Sequence, residues 1–191
     1  MLKHSHYFLH GILRNCISMP KMSYSLRTVD PHNHKHQFHR FDNAVRNSLE
    51  RIMGGPVTND QWKQATLPVS LGGLGFRSAL LNSPGAFLRS LIDSSQIMKD
   101  ILGEQNEFQD QDLVDLINSC TGENEFCLEE AVNSSQKVIS HAVESNLAKE
   151  LKDGATNERE KARLNAVSLK HSGDWLNAVP VKALGLHMQN K

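Results

Sequence analysis

Apolar residues recur at helical spacing across residues 34–53, the most periodic stretch of the sequence. The apolar positions are Phe38, Phe41, Val45, Leu49 and Ile52. Spacings of three and four residues place them on one side of an α-helix, and the Gly-Gly-Pro sequence at 54–56 predicts its end. A helix with such a stripe must bury it against other elements, so the segment predicts a helical domain with a packed core.

The same periodicity continues in much of the chain. Further helices are predicted near residues 3–18, from 58 or 59 to 65, from Ser83-Pro84 onward, around 113–117, over 126–152, and from 157 to about 171. Pro20 is expected to stop the first of them, because proline breaks a helix interior. Residues 67–71 are expected to be extended and the glycine-rich residues 72–75 to form a sharp turn. Almost no segment alternates with period 2, so the sequence predicts an all-α fold.

The charges are unevenly distributed, although the 21 basic and 21 acidic residues give zero net charge. Residues 1–92 carry a net +7 and 7 of the 10 histidines, residues 93–130 carry −10, and residues 131–191 carry +3. We interpret these as a basic helical region, an acidic connector and a C-terminal helical region. Separate blocks of opposite charge suggest different partners, although acidic stretches are most often solvated faces.

Membrane and secreted classes do not fit this sequence. No apolar run approaches the roughly 20 residues of a membrane span, and histidines interrupt the N-terminus where a signal peptide has its apolar core. The three cysteines contain no Cys-x-x-Cys pair and predict neither a disulfide framework nor a structural zinc site. We therefore expect an intracellular protein without a membrane partner, in the nucleus or the cytoplasm.

No catalytic constellation is recognisable, and no metal or cofactor is expected. The histidines at 32, 34, 36 and 39 invite a metal interpretation, but alternate residues of a helix point about 200° apart. The glycine-rich turn imitates a dinucleotide-binding loop, yet that motif requires a surrounding βαβ unit. On these residues alone the chain is not an enzyme.

The basic region contains the features that suggest a function. Nucleic-acid phosphates are recognised by mobile cations, with aromatic side chains as optional stacking platforms. The cations are Lys21, Arg27, Lys35, Arg40, Arg46, Arg51, Lys63, Arg77 and Arg89, and the aromatic residues among them are Tyr24, Phe41 and Trp62. The alternative is that these charges serve only solubility and that Phe41 belongs to the core.

Five short segments resemble, in order, the C-terminal part of non-LTR (LINE-type) retrotransposon reverse transcriptases of the invertebrate type. They are LRNCISMPK with YSLRT (13–28), FD leading to IMGGP (41–56), WKQATLP (62–68), LGGLGFRSA (71–79), and DWLNAVP with LGL (174–186). The resemblance implies the thumb and the region beyond it, where helices grip template and primer. Residues 93–155 fall in the variable stretch between the matching segments.

The resemblance also implies what this chain lacks. The Tyr/Phe-Ala-Asp-Asp sequence of the family's palm has no counterpart, since two adjacent aspartates occur nowhere in the chain. Polymerisation needs such carboxylates to hold two metal ions, so we expect no activity from this chain alone. The expectation is a polymerase remnant or fragment with sequence-independent RNA or DNA binding at most, through Lys21, Arg27, Arg40, Arg46, Arg51 and Arg77.

A competing hypothesis is a helical interaction module without a nucleic-acid role. Thumb helices separated from their palm would expose apolar surface, which either finds a partner or aggregates. The amphipathic segments 34–53 and 126–152 are the parts expected to self-associate in that case.

Overall fold

The computed structural model describes residues 9–102, 111–121 and 126–177, and every regular element in these ranges is helical. The α-helices are α1 (Met19–Thr28), α2 (Pro31–Met53), α3 (Asn59–Thr66), α4 (Ala79–Leu102), α5 (Gln111–Thr121), α6 (Leu128–Asn133), α7 (Gln136–Asp153) and α8 (Glu158–Val167). A π-helical turn, Leu13–Ile17, precedes α1, and 3-10 turns occur at Val69–Leu71 and Asp174–Leu176. The predicted all-α class is confirmed.

Helix α2 ends where its periodicity predicts, and an added turn at 31–33 precedes it across a kink at His34, whose φ of −123° and ψ of 16° are not helical. Asp30 caps its start, accepting a hydrogen bond from the backbone N–H two residues later, and Gly54 ends it in the left-handed conformation. The predicted apolar stripe is buried, with Phe38, Val45 and Leu49 each at most 5% exposed. The long helix is therefore the central element of the N-terminal half.

The described part of the first predicted helix ends at Ile17, before Pro20 as predicted, whereas the proline predicted to begin a later helix does not. The chain turns at Ser18, so Pro20 lies in the first turn of α1, where its missing N–H is not needed. Helix α4 does not begin at Pro84 but contains it. The carbonyl of Leu80, four residues earlier, loses its usual partner and accepts a hydrogen bond from the Ser83 hydroxyl at 3.1 Å.

The long helix predicted over 126–152 is two helices. Helix α6 ends after one and a half turns, and Ser135 then caps α7 by accepting a hydrogen bond from the Val138 N–H at 3.4 Å. Serine competes with the helical backbone for hydrogen bonds, which explains the break at this place. The last predicted helix also stops early, at Val167.

Three predictions fall partly outside the described residues. The first predicted helix is described only from residue 9, and residues 3–8 lie outside. The acidic connector is described over 93–102, 111–121 and 126–130. Of the last segment with family resemblance, residues 178–186 also lie outside.

The core consists of three clusters, and α4 joins two of them. The first contains Leu13, Val45, Leu49, Val57, Ala65 and Phe76; the second Leu88, Leu113, Val114, Ile117, Ala131 and Ile139; the third Leu26, Phe38, Ala79 and Ala86. The second cluster draws on all three charge-defined regions, and α4 runs without a break through the boundary at residue 92. Helix α5 of the acidic region thus packs into the same core.

Asp42 joins α2 to the beginning of α4. Its carboxylate accepts three hydrogen bonds, from the Ser78 hydroxyl at 2.5 Å and from the backbone N–H groups of Ala79 at 2.8 Å and Leu80 at 3.2 Å. Burial raises the pKa of Asp42, and the three hydrogen bonds oppose that shift. A carboxylate from one helix therefore serves as the cap of another.

The glycine-rich residues form the sharp turn predicted for them, whereas residues 67–71 contain a 3-10 turn instead of extended chain. Gly72 and Gly75 have φ values of 82° and 78°, which favour glycine. Gly73 is closely packed, because a Cβ built there would lie 2.0 Å from the carbonyl oxygen of Leu67. The turn therefore has a structural reason for its glycines.

The two ends of the described chain meet at Arg14. Its guanidinium donates to the backbone carbonyl of Leu176 at 3.3 Å and to the side-chain oxygen of Asn177 at 3.0 Å. The group also lies against Gly75, where a Cβ would come within 2.6 Å of Arg14 Nε.

Candidate nucleic-acid interface

The outward side of α2 carries a row of exposed polar and basic residues. The apolar stripe turns the opposite positions of the helix towards solvent. Its exposed polar residues are His32, Asn33, Lys35, His36, Gln37, His39, Arg40, Asn43, Asn47 and Arg51. Of the two acidic residues of this helix, Asp42 is buried, and Glu50 is half-buried and binds Arg46 and the Val57 N–H. We call these ten residues the α2 face.

The α2 face has the dimensions of a nucleic-acid contact. Arg40 and Arg51 are separated by roughly 16 Å along the helix axis, given the rise of about 1.5 Å per residue. Phosphates of one strand follow each other every 3.4 Å or so along a duplex, so the two arginines span about five of them. Arg40 and Arg51 supply the aligned cations, and amides and imidazoles supply further hydrogen-bonding groups.

Arg27 is one of three predicted contact residues that already have a partner within the chain. Its guanidinium forms an ion pair with Asp93 at 3.1 Å, and Arg89 contacts the same carboxylate at 2.6 Å. Asp93 is the first residue of the acidic region, which therefore neutralises part of the basic region directly.

Arg46 connects α2 to the loop that follows it. It donates to the carbonyl oxygen of Val57 and to the side-chain oxygen of Asn59, the latter at 3.0 Å, and it lies 3.5 Å from Glu50. Glu50 in turn accepts a hydrogen bond from the Val57 N–H at 3.1 Å. These contacts give Arg46 a structural role in holding the 54–58 loop.

Arg77 pairs with a buried acid that the sequence did not single out. Its Nε lies 3.2 Å from Oε1 of Glu144, whose side chain is only 7% exposed. Burial raises the pKa of Glu144, while Arg77 and His141 lower it. The sequence does contain one signal for the burial of Glu144. Small residues, Ser140 and Ala148, lie four positions before and after it and share the buried side of α7.

Lys21, Arg40 and Arg51 are exposed and have no ion-pair partner among the described residues. Lys21 shares a side of α1 with Tyr24, whose 78% exposure leaves its ring free to stack on a base. Phe41 and Trp62 instead pack against the core, as the alternative interpretation of Phe41 predicted. The six predicted contact residues thus divide into three available cations and three with internal partners.

The described histidines do not form a metal centre. Nowhere in the described ranges do three His, Cys, Asp or Glu residues converge to hold an ion. His34 Nδ1 lies 3.1 Å from the Asp30 carbonyl, and His39 Nδ1 lies 3.1 Å from the Asn43 amide. Both imidazoles therefore have local contacts.

Comparisons with known proteins give no relative of this chain. No protein-family model matches it, and no curated protein or solved structure shows significant similarity. Within the part of the chain that the structure describes, we also find no helix with the length and apolar character of a membrane span.

Proposed function

We propose that this chain binds RNA or DNA without sequence preference through the α2 face, as a thumb-like remnant or fragment of a retrotransposon reverse transcriptase. The observation that carries the proposal is the alignment on one side of α2 of Arg40 and Arg51, both exposed and without an ion-pair partner among the described residues. The family resemblance of five ordered segments supports the origin of the chain, and the all-helical fold agrees with it.

The proposed binding is electrostatic. Each cation that neutralises a phosphate releases a counterion, which makes affinity fall steeply with salt. Arg40 and Arg51 lie eleven residues apart, three turns of the helix, and so point in nearly the same direction. Lys35 and Lys21 add cations on α2 and α1. No base-specific contact is needed for this mode of binding.

The proposal includes no polymerase activity for this chain alone. Nucleotidyl transfer requires carboxylates that hold two metal ions, and the paired palm aspartates of the family are missing from the sequence. We therefore expect the chain to hold a strand without extending it.

Reversing Arg40 and Arg51 to glutamate is expected to weaken binding to a labelled RNA hairpin roughly tenfold at 50 mM salt. It should also lower the slope of log affinity against log salt by about 2, because two phosphate contacts are lost. Fluorescence anisotropy at about 50 and 200 mM salt, on the hairpin and on a DNA duplex, measures both quantities. These two arginines are preferred over Arg46, whose internal contacts would confuse binding with stability.

The matched control reverses Arg159 and Lys170, which are exposed and lie on or beside α8. This pair changes the net charge by the same amount but leaves the α2 face intact, so its affinity should remain close to that of the wild type. Equal losses in both double variants would mean that overall charge, and not the α2 face, drives binding.

A second candidate function is self-association. The surface that favours it lies near the end of α4 and not on the expected segments 34–53 and 126–152. The apolar stripes of α2 and α7 are buried in the chain's own core, including Val45 and Ile139. Ile97 and Ile101 are exposed at 61% and 74%, one turn apart near the end of α4. This pair is an exposed apolar surface that favours a contact between copies.

If α4 mediates self-association, sedimentation velocity should show a concentration-dependent dimer that Ile97→Ser with Ile101→Ser abolishes. The substitutions remove apolar area that only a partner would bury, so the folded monomer should retain its stability. A wild-type chain that remains monomeric at high concentration would eliminate this second candidate.

A further inference from the structure

A polar cavity of about 430 Å³ lies between the glycine-rich loop and the beginning of α7. Its polar lining includes Ser70, Arg77, Lys137, Ser140, His141 and Glu144. This cavity, which we call the Glu144 pocket, is separate from the α2 face in its residues. It contains an acid, an imidazole, two cations and two hydroxyls.

Glu144 gives the pocket an unsatisfied hydrogen-bond acceptor. Its side chain is 93% buried, and Oε1 receives no hydrogen bond from any described residue, although Arg77 Nε lies 3.2 Å away as an ion-pair partner. Buried polar atoms are nearly always hydrogen-bonded, and an unmade bond of this kind is costly. Oε1 is itself fully buried against Arg77, so a ligand with N–H donors would satisfy the acceptor by displacing that guanidinium.

The outer part of the pocket carries positive charge. The Arg77 side chain is 46% exposed, and Lys137 is also exposed. These groups face solvent at the same cavity whose buried side ends in the Glu144 carboxylate. The complementary ligand therefore has N–H donors at one end and an anion at the other.

We propose that the Glu144 pocket binds a guanine nucleotide, with Glu144 accepting from the N–H groups of the base and Lys137 contacting the phosphate. The base edge of guanine has two adjacent N–H donors, which match the two oxygens of a carboxylate, whereas adenine has an acceptor beside its donor. The choice of a nucleotide as the ligand rests on the proposed function, which is binding of RNA or DNA. The guanine is either a free nucleotide or an unpaired base of a bound strand.

Local structure supports this assignment. Ser140, one turn before Glu144 on α7, also lines the pocket. Arg77 has a φ of 45°, unusual for a residue other than glycine, and its N–H donates to the Thr66 carbonyl at 3.1 Å. The raised pKa of buried Glu144 is the shift that N–H donors from a ligand would reverse.

Titrating the full chain with GMP and AMP separately tests the pocket, because neither mononucleotide needs the α2 face. The wild type should bind GMP about tenfold more tightly than AMP, the discrimination typical of a two-point base contact. Glu144→Gln should remove this preference, because the amide places a donor against one guanine donor and suits the donor–acceptor edge of adenine. A merely structural role of Glu144 would leave the GMP preference in place.

Two lysine variants complete the design. Lys137→Met should weaken GMP and AMP binding equally by removing a phosphate contact, and Lys170→Met, an exposed lysine outside the pocket, should change neither. Calorimetry measures the affinities, and circular dichroism together with AMP binding shows that Glu144→Gln is folded. Equal affinity of the wild type for both nucleotides, or an unchanged GMP preference in Glu144→Gln, would overturn the inference.

The outcomes also separate this inference from the proposed function. Salt-dependent RNA binding without GMP selectivity would refute nucleotide binding in the Glu144 pocket and support the α2 face as the binding surface. Selective GMP binding without RNA binding would support a free-nucleotide site and refute the proposed nucleic-acid binding through the α2 face. An RNA hairpin with an unpaired guanine in its loop, compared with an adenine at the same place, distinguishes a strand from a free nucleotide as the source.

Discussion

Replacing Asp42 with alanine is expected to lower the free energy of unfolding by about 3 kcal/mol. The substitution removes the acceptor for the Ser78 hydroxyl and for the backbone N–H groups of Ala79 and Leu80. Ser78 and Ala79 are buried, so water does not readily replace the lost partner. The beginning of α4 should also fray, because its cap comes from α2. Urea unfolding followed by circular dichroism measures the loss.

Asp153→Ala is the matched control for this prediction, since Asp153 is exposed at the end of α7. Its free energy of unfolding should remain within about 0.5 kcal/mol of the wild type. A loss for Asp42→Ala no larger than the control would mean that α4 does not depend on the carboxylate.

The pH dependence of stability provides a second readout of Asp42. Burial raises its pKa above that of an unfolded aspartate, about 3.9, so the folded state binds more protons between these values. Stability from this group is fully present below the unfolded pKa and is lost as pH rises through the folded pKa. Asp42→Asn cannot titrate, so its stability relative to the wild type should increase with pH over this window. A difference that does not change with pH would contradict the raised pKa.

Gly73→Ala is expected to destabilise the fold by about 3 kcal/mol through a steric clash. The added methyl group would lie 2.0 Å from the Leu67 carbonyl oxygen and 2.6 Å from the Gln64 carbonyl oxygen. Both contacts are with backbone atoms, which cannot move without displacing the end of α3. Relief therefore requires the whole turn to shift. Thermal and urea unfolding of the purified variant measure the loss.

Gly11→Ala is the control for this substitution. Gly11 is helical, and a Cβ built there meets nothing within 4 Å. Alanine is the better helix former by about 1 kcal/mol, so this variant should be slightly more stable than the wild type. Both substitutions remove a glycine from the unfolded chain, but only Gly73→Ala creates a clash. A loss of stability at Gly73 together with a gain at Gly11 would therefore assign the loss to the clash. A mild effect at both positions would mean that the turn adapts.

Features that depend on neighbours in sequence were predictable. The apolar stripe of α2, its stop at Gly54 and the capping box between Thr58 and Gln61 are all encoded within a few residues. The turn at 72–75 was predictable for the same reason, because left-handed backbone conformations need glycine.

Features that depend on distant residues were not predictable. Helix α4 begins before Pro84 because Asp42, thirty-six residues before Ser78, caps it from another helix. The roles of Arg27 and Arg77 depend on Asp93 and Glu144, which no local pattern connects to them. Only the fold shows which predicted contact residues have partners inside the chain. Of the six, Lys21, Arg40 and Arg51 are the three without such partners among the described residues.

The contact of Arg14 with the last described residues has a consequence for the order of folding. Its two hydrogen bonds join residues 162 and 163 positions apart. Closing a chain loop of that length costs about 4–5 kcal/mol of entropy, whereas hydrogen bonds contribute about 1 kcal/mol each. The bonds therefore cannot nucleate folding and must form once the helices between them are in place. We therefore expect loss of the Arg14 contacts to speed unfolding more than it slows folding.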